Sequence, residues 1–140
     1  MAASAATSGY STVLQDNSSG SYVSVAEVVR ITGPKVSRKF IDVSNLTSPS
    51  EAEEFIAGFI SNGMVTMDVN YLPGNATQKN IVASIQNGTK WGFKLILSDA
   101  AATTISWNGF YAEFEPTAPH DNKLSARIAI KVTGLVTIPT

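Results

Sequence analysis

Between Leu124 and Val132 the chain reads LSARIAIKV, with Leu124, Ala126, Ile128, Ile130 and Val132 at every second position. Successive side chains of an extended backbone point to opposite faces, so this alternation specifies a long strand buried on one side, continuing towards Ile138. Such a strand cannot stand alone, because each N–H and C=O along it needs a partner. Upstream segments supply the partners. Residues 104–115 place Ile105, Trp107 and Tyr111 on one face and Phe110, Ala112 and Phe114 on the other, and the turn PTAPHDN (116–122) joins them to the long strand. Trp91, Phe93, Leu95 and Leu97 alternate before a turn at 98–103. Residues 64–72 set Val65, Met67, Val69 and Tyr71 against Thr66, Asp68 and Asn70, and Pro73-Gly74 closes that run.

The first half reads less regularly. Residues 10–15 suit a strand, DNSSGS (16–21) a turn, and residues 22–31 are rich in β-branched side chains up to the Gly33-Pro34 break. An extended path resumes at 40–43, before a loop at 44–50. Two helices are expected. One covers 75–87, with Asn75 or Thr77 at its start, Ile81, Val82 and Ile85 on its apolar side, and Gly88 as its stop. The other is short, residues 54–60, with Ser48 or Ser50 as cap, Glu51, Glu53 and Glu54 at its positive end, and Gly58 and Gly63 shaping the exit. Together these elements predict a mainly β (α+β) fold: an antiparallel β-sandwich or partial barrel with one or two short flanking helices. The 140 residues make one domain at 10–140, preceded by a flexible arm at 1–9.

The side-chain inventory points away from chemistry. Only 15% of residues are charged, well below the usual quarter, which suits a surface packed against other copies. The net charge of -1 offers no basic stripe for phosphates, and the densest positive run, KVSRK at 35–39, reads as a solvated loop. With no cysteine there is neither disulfide nor thiolate site. The first residues carry no basic start or apolar run of a leader, and no stretch is long and apolar enough for a membrane span. The sequons at Asn17, Asn45, Asn75 and Asn87 follow from a Ser/Thr/Asn-rich composition. His120 is the only histidine and falls in a Pro-rich turn, with no serine in a nucleophile setting. Gly88, Gly92 and Gly109 form no phosphate loop. No catalytic, cofactor-binding or metal-binding residues are therefore expected. Two other classes stay open: a monomeric carbohydrate-type binding module with Trp91, Trp107 or Tyr111 as platform, and a small hydrolase using Glu113 and Glu115.

The order of the elements carries a resemblance. IDVSNLTSP (41–49) leads to EFIAGFISNGMVTMDV (54–69), then YLPGNATQ (71–78), and the chain closes with FEPTAPHDNKLSARIAIKVTG (114–134). This succession, over about residues 22–138, resembles the major tail tube proteins of long, non-contractile-tailed phages. Asn62 departs from it, standing where an acidic residue is more usual. The resemblance implies a β-sandwich with a flanking helix, hexameric rings stacked into a hollow tube, and an inner barrel through which the genome passes on ejection. It implies a non-enzymatic virion protein, made in the host cytoplasm and resident in the tail. Its partners are further copies of itself, a tail tip or initiator complex, a tape measure and a tail terminator, with DNA passing unbound and no membrane. Asp68, Glu113 and Glu115 become candidates for the lumen. The arm 1–9 and the loop 32–50, with Lys35, Arg38, Lys39, Asp42 and Asn45, become candidates for ring-to-ring contact. The short helix 54–60 becomes a cap on an open end of the sandwich.

Overall fold

The computed structural model of the chain describes residues 4 and 6–139. Of the predicted arm, residues 1–3 and 5 lie outside the described residues. In chain order the elements are β1 (Val13–Asp16), β2 (Val23–Ser24), β3 (Val28–Thr32), β4 (Val36–Asp42), β5 (Phe55–Asn62), β6 (Met64–Asn70), α1 (Ala76–Asn87), β7 (Lys90–Ile96), β8 (Thr104–Thr117) and β9 (Ser125–Thr137). Seven strands form one antiparallel sheet, ordered β2-β1-β7-β8-β9-β6-β3, and β4 and β5 pair separately as a two-stranded sheet. The barrel does not close. The large sheet instead bends over itself, so that residues of β3 and β7 from its two halves line one cleft of about 830 Å³ with Ile105 and Tyr10.

The alternation in β9 is the spine of this bend. Ala126, Ile128, Ile130 and Val132 are all buried, opposite β6 on one side and β8 on the other. Both long strands bend at irregularities in their pairing, between Ser106 and Asn108 and between Tyr111 and Glu113. At Gly109 the two backbones approach so closely that a Cβ would lie 2.5 Å from the Lys131 carbonyl oxygen, so only glycine fits. The irregularity after Tyr111 also shifts the parity of β8. Phe114, expected on the face opposite Tyr111, instead joins the core side, where it meets Tyr71 edge-on at 5.4 Å. Phe93 stacks on Trp107 and meets Tyr111 edge-on, and each such buried large side chain contributes roughly 1.5–3 kcal/mol.

The helix α1 forms as expected. Asn75 caps it, accepting from the Thr77 and Gln78 amides at 3.0 and 3.3 Å, and Gly88 ends it in the left-handed conformation at φ 67°. Gln78, fully buried, spends its whole side chain on backbone: its Oε1 accepts from Leu72 N–H, and its Nε2 donates to the Ala26 and Asn70 carbonyls. One amide thereby ties the helix to the β2–β3 link and to the end of β6.

Three further expectations from the sequence are corrected. No helix forms at 54–60: a 3-10 turn covers Pro49–Glu51, and residues 55–62 are strand β5. Ser50 and Glu51 have φ of 57° and Ala52 is extended, so no helix can start behind the glutamates. The run FIAGFISN is aromatic and β-branched, and it finds a backbone partner in β4. The same pairing turns much of the expected loop 32–50 into a strand, starting at Val36 rather than Phe40. Residues 22–31 are not one strand either. Glu27, at φ 59°, breaks them into β2 and β3 on opposite edges of the sheet.

Candidate functional site

With the alternate residues of β6 and β9 committed to the core, the remaining ones form an outward face. Register fixes its grid. Arg30, Asp68, Arg127 and Glu115 lie side by side across β3, β6, β9 and β8, and the next row is Thr32, Thr66, Ala129 and Glu113. A third row holds Met64, Lys131 and Phe110. The three candidate carboxylates Asp68, Glu113 and Glu115, scattered in sequence, thus share one surface and are all exposed. Within β3, β6, β9 and β8 they share it with three cations, Arg30, Arg127 and Lys131, and Lys90 of β7 continues the Phe110 row on the same side. Two shallow depressions of about 290 and 250 Å³ lie on either side of the Asp68–Arg127 pair.

This ribbon of four strands has two free edges. β3 is the last strand of the sheet. At the other side, β7 accompanies β8 only over Thr104 to Phe110, while β9 continues to Thr117. From Tyr111 to Glu115 no strand pairs with the outer edge of β8 among the described residues, and Pro116, with no N–H to offer, ends that stretch. Because every pairing in the ribbon is antiparallel, β3 and β8 run in opposite directions.

A second surface is the β4–β5 hairpin. Lys35 precedes β4, Arg38 and Lys39 lie on it, Asp42 ends it and Asn45 sits in the connecting loop, so the candidate ring contacts share one projection. Arg38 Nη1 donates to the Gly58 carbonyl at 3.0 Å. Asp42 accepts from the Ser44 amide at 2.8 Å, which holds its carboxyl below the ordinary carboxylate value. Asn45 Oδ1 accepts from Thr47 amide and hydroxyl. Between these polar groups the hairpin exposes Phe40 (66%), Ile41, Phe55, Ile56 and Phe59 (90%), and Leu46 projects from its loop. At its base Asn62 Nδ2 donates to the Gly134 carbonyl, anchoring β5 to β9.

The residues of the alternative readings lie elsewhere. Trp107 and Tyr111 are buried, and Trp91 is half-buried with its indole N–H given to Ser84 Oγ at 2.8 Å. Glu113 and Glu115 neighbour each other along one strand of an open face, without a cleft between them. His120 is exposed in the β8–β9 turn. Among the described residues no three His, Asp or Glu side chains converge on a metal position, and no helix is long and apolar enough to cross a membrane. Sequence reasoning misses the hairpin's apolar surface, because the glutamates before its aromatic, β-branched run predict a helix there. The signal was present in FIAGFISN, which is strand-like in composition.

An open antiparallel ribbon with two free edges and a hairpin with exposed apolar side chains leaves surfaces available for pairing. The profile of the lambda phage tail tube protein family matches residues 4–138, and the chain belongs to that family. It is a structural subunit of a phage tail tube, resident in the tail of the virion. Solved structures share the fold at low identity. The tail of an empty gene transfer agent particle, refined with C6 symmetry, is 14% identical with TM-score 0.79, over 96% of this chain and 100% of that one. A sheath/tube terminator of an extracellular contractile injection system, PVC, is 13% identical with TM-score 0.77, over 99% and 100% of the two chains. The SPP1 tail tube is 14% identical with TM-score 0.67, over 91% and 77%. No curated protein matches by sequence.

Proposed function

We propose that six copies of this chain close into a ring by adding the β3 edge of one copy to the distal β8 edge of the next, and that rings stack through the β4–β5 hairpins. The observation that carries this is the ribbon β8–β9–β6–β3, whose two free edges run in opposite directions. Copies set side by side continue its antiparallel order without interruption, and a head-to-tail contact that closes leaves no edge exposed. The number six is supported by the C6 symmetry of the gene transfer agent tail.

In this ring the outward face lines the lumen, with Asp68, Glu113 and Glu115 towards the passing genome. Arg30 and Arg127 each lie opposite Asp68 and Lys131 lies diagonal to Glu113, so each cation on β3, β6 and β9 has a carboxylate neighbour, while Lys90 on β7 lies opposite Phe110. Phosphates therefore find few unpaired cations to neutralise, and DNA passes without being held. Lys35, Arg38, Lys39, Asp42 and Asn45 contact the adjoining ring around the apolar side chains of the hairpin, and the arm 1–9 adds to that contact. A tail tip or initiator complex and a tail terminator bound the tube, and a tape measure sets its length. The protein has no enzymatic role in this assembly.

The test is negative-stain electron microscopy with light scattering on the wild-type chain, Val29→Pro and Ala112→Pro. Val29 and Ala112 sit where register skips a residue, so neither has a rung partner within the chain, and proline at either position distorts its free edge. Wild-type protein is expected to form rings or tubes of uniform width, and the proline variants to remain folded monomers. Undiminished assembly by both variants would overturn the edge pairing. A wild-type chain that stays monomeric even when seeded with isolated tail tips would overturn the ring.

A further inference from the structure

The two free edges of the ribbon differ in charge, and the difference is complementary. On the outward side of β3 the one charged residue is Arg30. On the outward side of distal β8 the charged residues are Glu113 and Glu115. Within one copy the row runs Arg30, Asp68, Arg127, Glu115, alternating in sign from edge to edge. Its inner members each have an opposite charge on both sides. Its end members have one each: Arg30 has only Asp68 beside it, and Glu115 only Arg127. In the next row Glu113 lies opposite Ala129 and has no cation in its own rung. The row thus ends positive at one edge and negative at the other.

We infer that Arg30 of one copy pairs with the Glu113–Glu115 carboxylates of its ring neighbour, and that this cross-subunit pair selects and sets the register of ring closure. The inference rests on the edge-to-edge ring proposed above and adds what makes one edge choose the other. Backbone pairing alone does not discriminate: β3 could add to β3 of a second copy, an isologous contact that does not propagate into a ring of equivalent interfaces. That contact brings Arg30 against Arg30, and β8 against β8 brings glutamates against glutamates. Like charges directly opposite across strands are unfavourable, and such juxtaposition suppresses wrong partners. Only β3 against β8 is complementary, and that heterologous pairing is the one that propagates into a ring. The two glutamates stand two residues apart, roughly 7 Å along the strand, so the long arginine side chain reaches one or the other as tilt shifts the rung. When the ring closes, the alternation of Arg30, Asp68, Arg127 and Glu115 passes from copy to copy around the lumen.

Charge reversal tests this. Arg30→Glu, and separately the double variant Glu113→Lys/Glu115→Lys, are prepared as full chains with circular dichroism as the check on folding. Each alone is expected to raise the protein concentration at which scattering particles appear by about tenfold or more, because every interface of the ring carries the repulsion. The decisive sample is an equimolar mixture of the two. Alternating copies restore a complementary pair at every interface, so the mixture is expected to assemble near the wild-type concentration. Wild-type-like assembly by either reversed chain alone, or failure of the mixture while both chains are folded, would overturn the pairing and leave the edge-to-edge ring standing. Absence of any wild-type assembly would instead remove the ring on which it rests. Should a reversed chain fail to fold, Arg30→Gln takes its place, with loss of the salt dependence of assembly expected and an unchanged salt dependence counting against the pair.

Discussion

Tyr111 and Asp16 show what a single buried pair does for this fold. The phenol, buried against Phe93, donates to Asp16, whose other carboxylate oxygen accepts from the Ser18 amide and hydroxyl at 3.1 and 2.7 Å. The short strand β1 is thereby fastened to the middle of β8. Burial, with the Asp16 charge beside it, pushes the Tyr111 hydroxyl well above its ordinary value of 10.0. The folded chain then keeps a proton that the unfolded chain releases at high pH, so stability is intact below about pH 10 and falls as pH rises past it. Tyr111→Phe is expected to cost about 1–3 kcal/mol at neutral pH, since it leaves a buried carboxylate short of a donor, and to flatten the alkaline fall. Urea unfolding of both chains between neutral and strongly alkaline pH measures both effects. Neither partner was identifiable in the sequence, where Asp16 reads as a turn residue and Tyr111 as one of several alternating aromatics.

At the scale of elements, the β4–β5 hairpin is the part through which we propose that rings stack. A two-stranded hairpin is at best marginally stable in water, and this one exposes Phe40, Phe55 and Phe59. Replacing an exposed apolar side chain changes monomer stability by no more than about 0.5 kcal/mol when nothing within the chain packs on it. Phe59→Asp is therefore expected to leave the melting temperature nearly unchanged, to leave rings intact, and to prevent their stacking. Electron microscopy separates the outcomes: isolated rings support the hairpin as the stacking element, and tubes of normal length exclude Phe59 from it. The helix expected at 54–60 failed for a reason of the same scale. Glutamates before an apolar run are a helix-start signal, but the partner that makes the run a strand lies some twenty residues earlier, beyond the reach of any local pattern.

For the whole molecule, the balance of charge on the outward face matters more than the net charge of the chain. Of the acidic residues proposed to face the lumen, Asp68 and Glu115 sit against arginines, so in the proposed tube the lining would resist DNA by having those cations paired rather than by being uniformly negative. Asp68→Asn with Glu115→Gln removes the carboxylates on both sides of Arg127. Tubes of this variant are expected to retain duplex DNA at low salt and release it steeply as salt rises, while wild-type tubes retain none. Co-sedimentation across a salt series reads this directly, and retention by wild-type tubes would count against a paired lining.

The sequence alone determined the strands of the second half, the capped helix at Ala76–Asn87, and the alternating face of β9, because those patterns are local and repeat with the period of the element. It also carried, in the order of its segments, the family. The tertiary structure decided what depends on pairing. Register brought Asp68, Glu113 and Glu115 onto one face with three cations, the irregularity after Tyr111 turned Phe114 inward, and β4 made a strand of residues 55–62. It also decided which edges stay open, since an edge is defined by the strand that does not arrive, and no residue of the open strand records that.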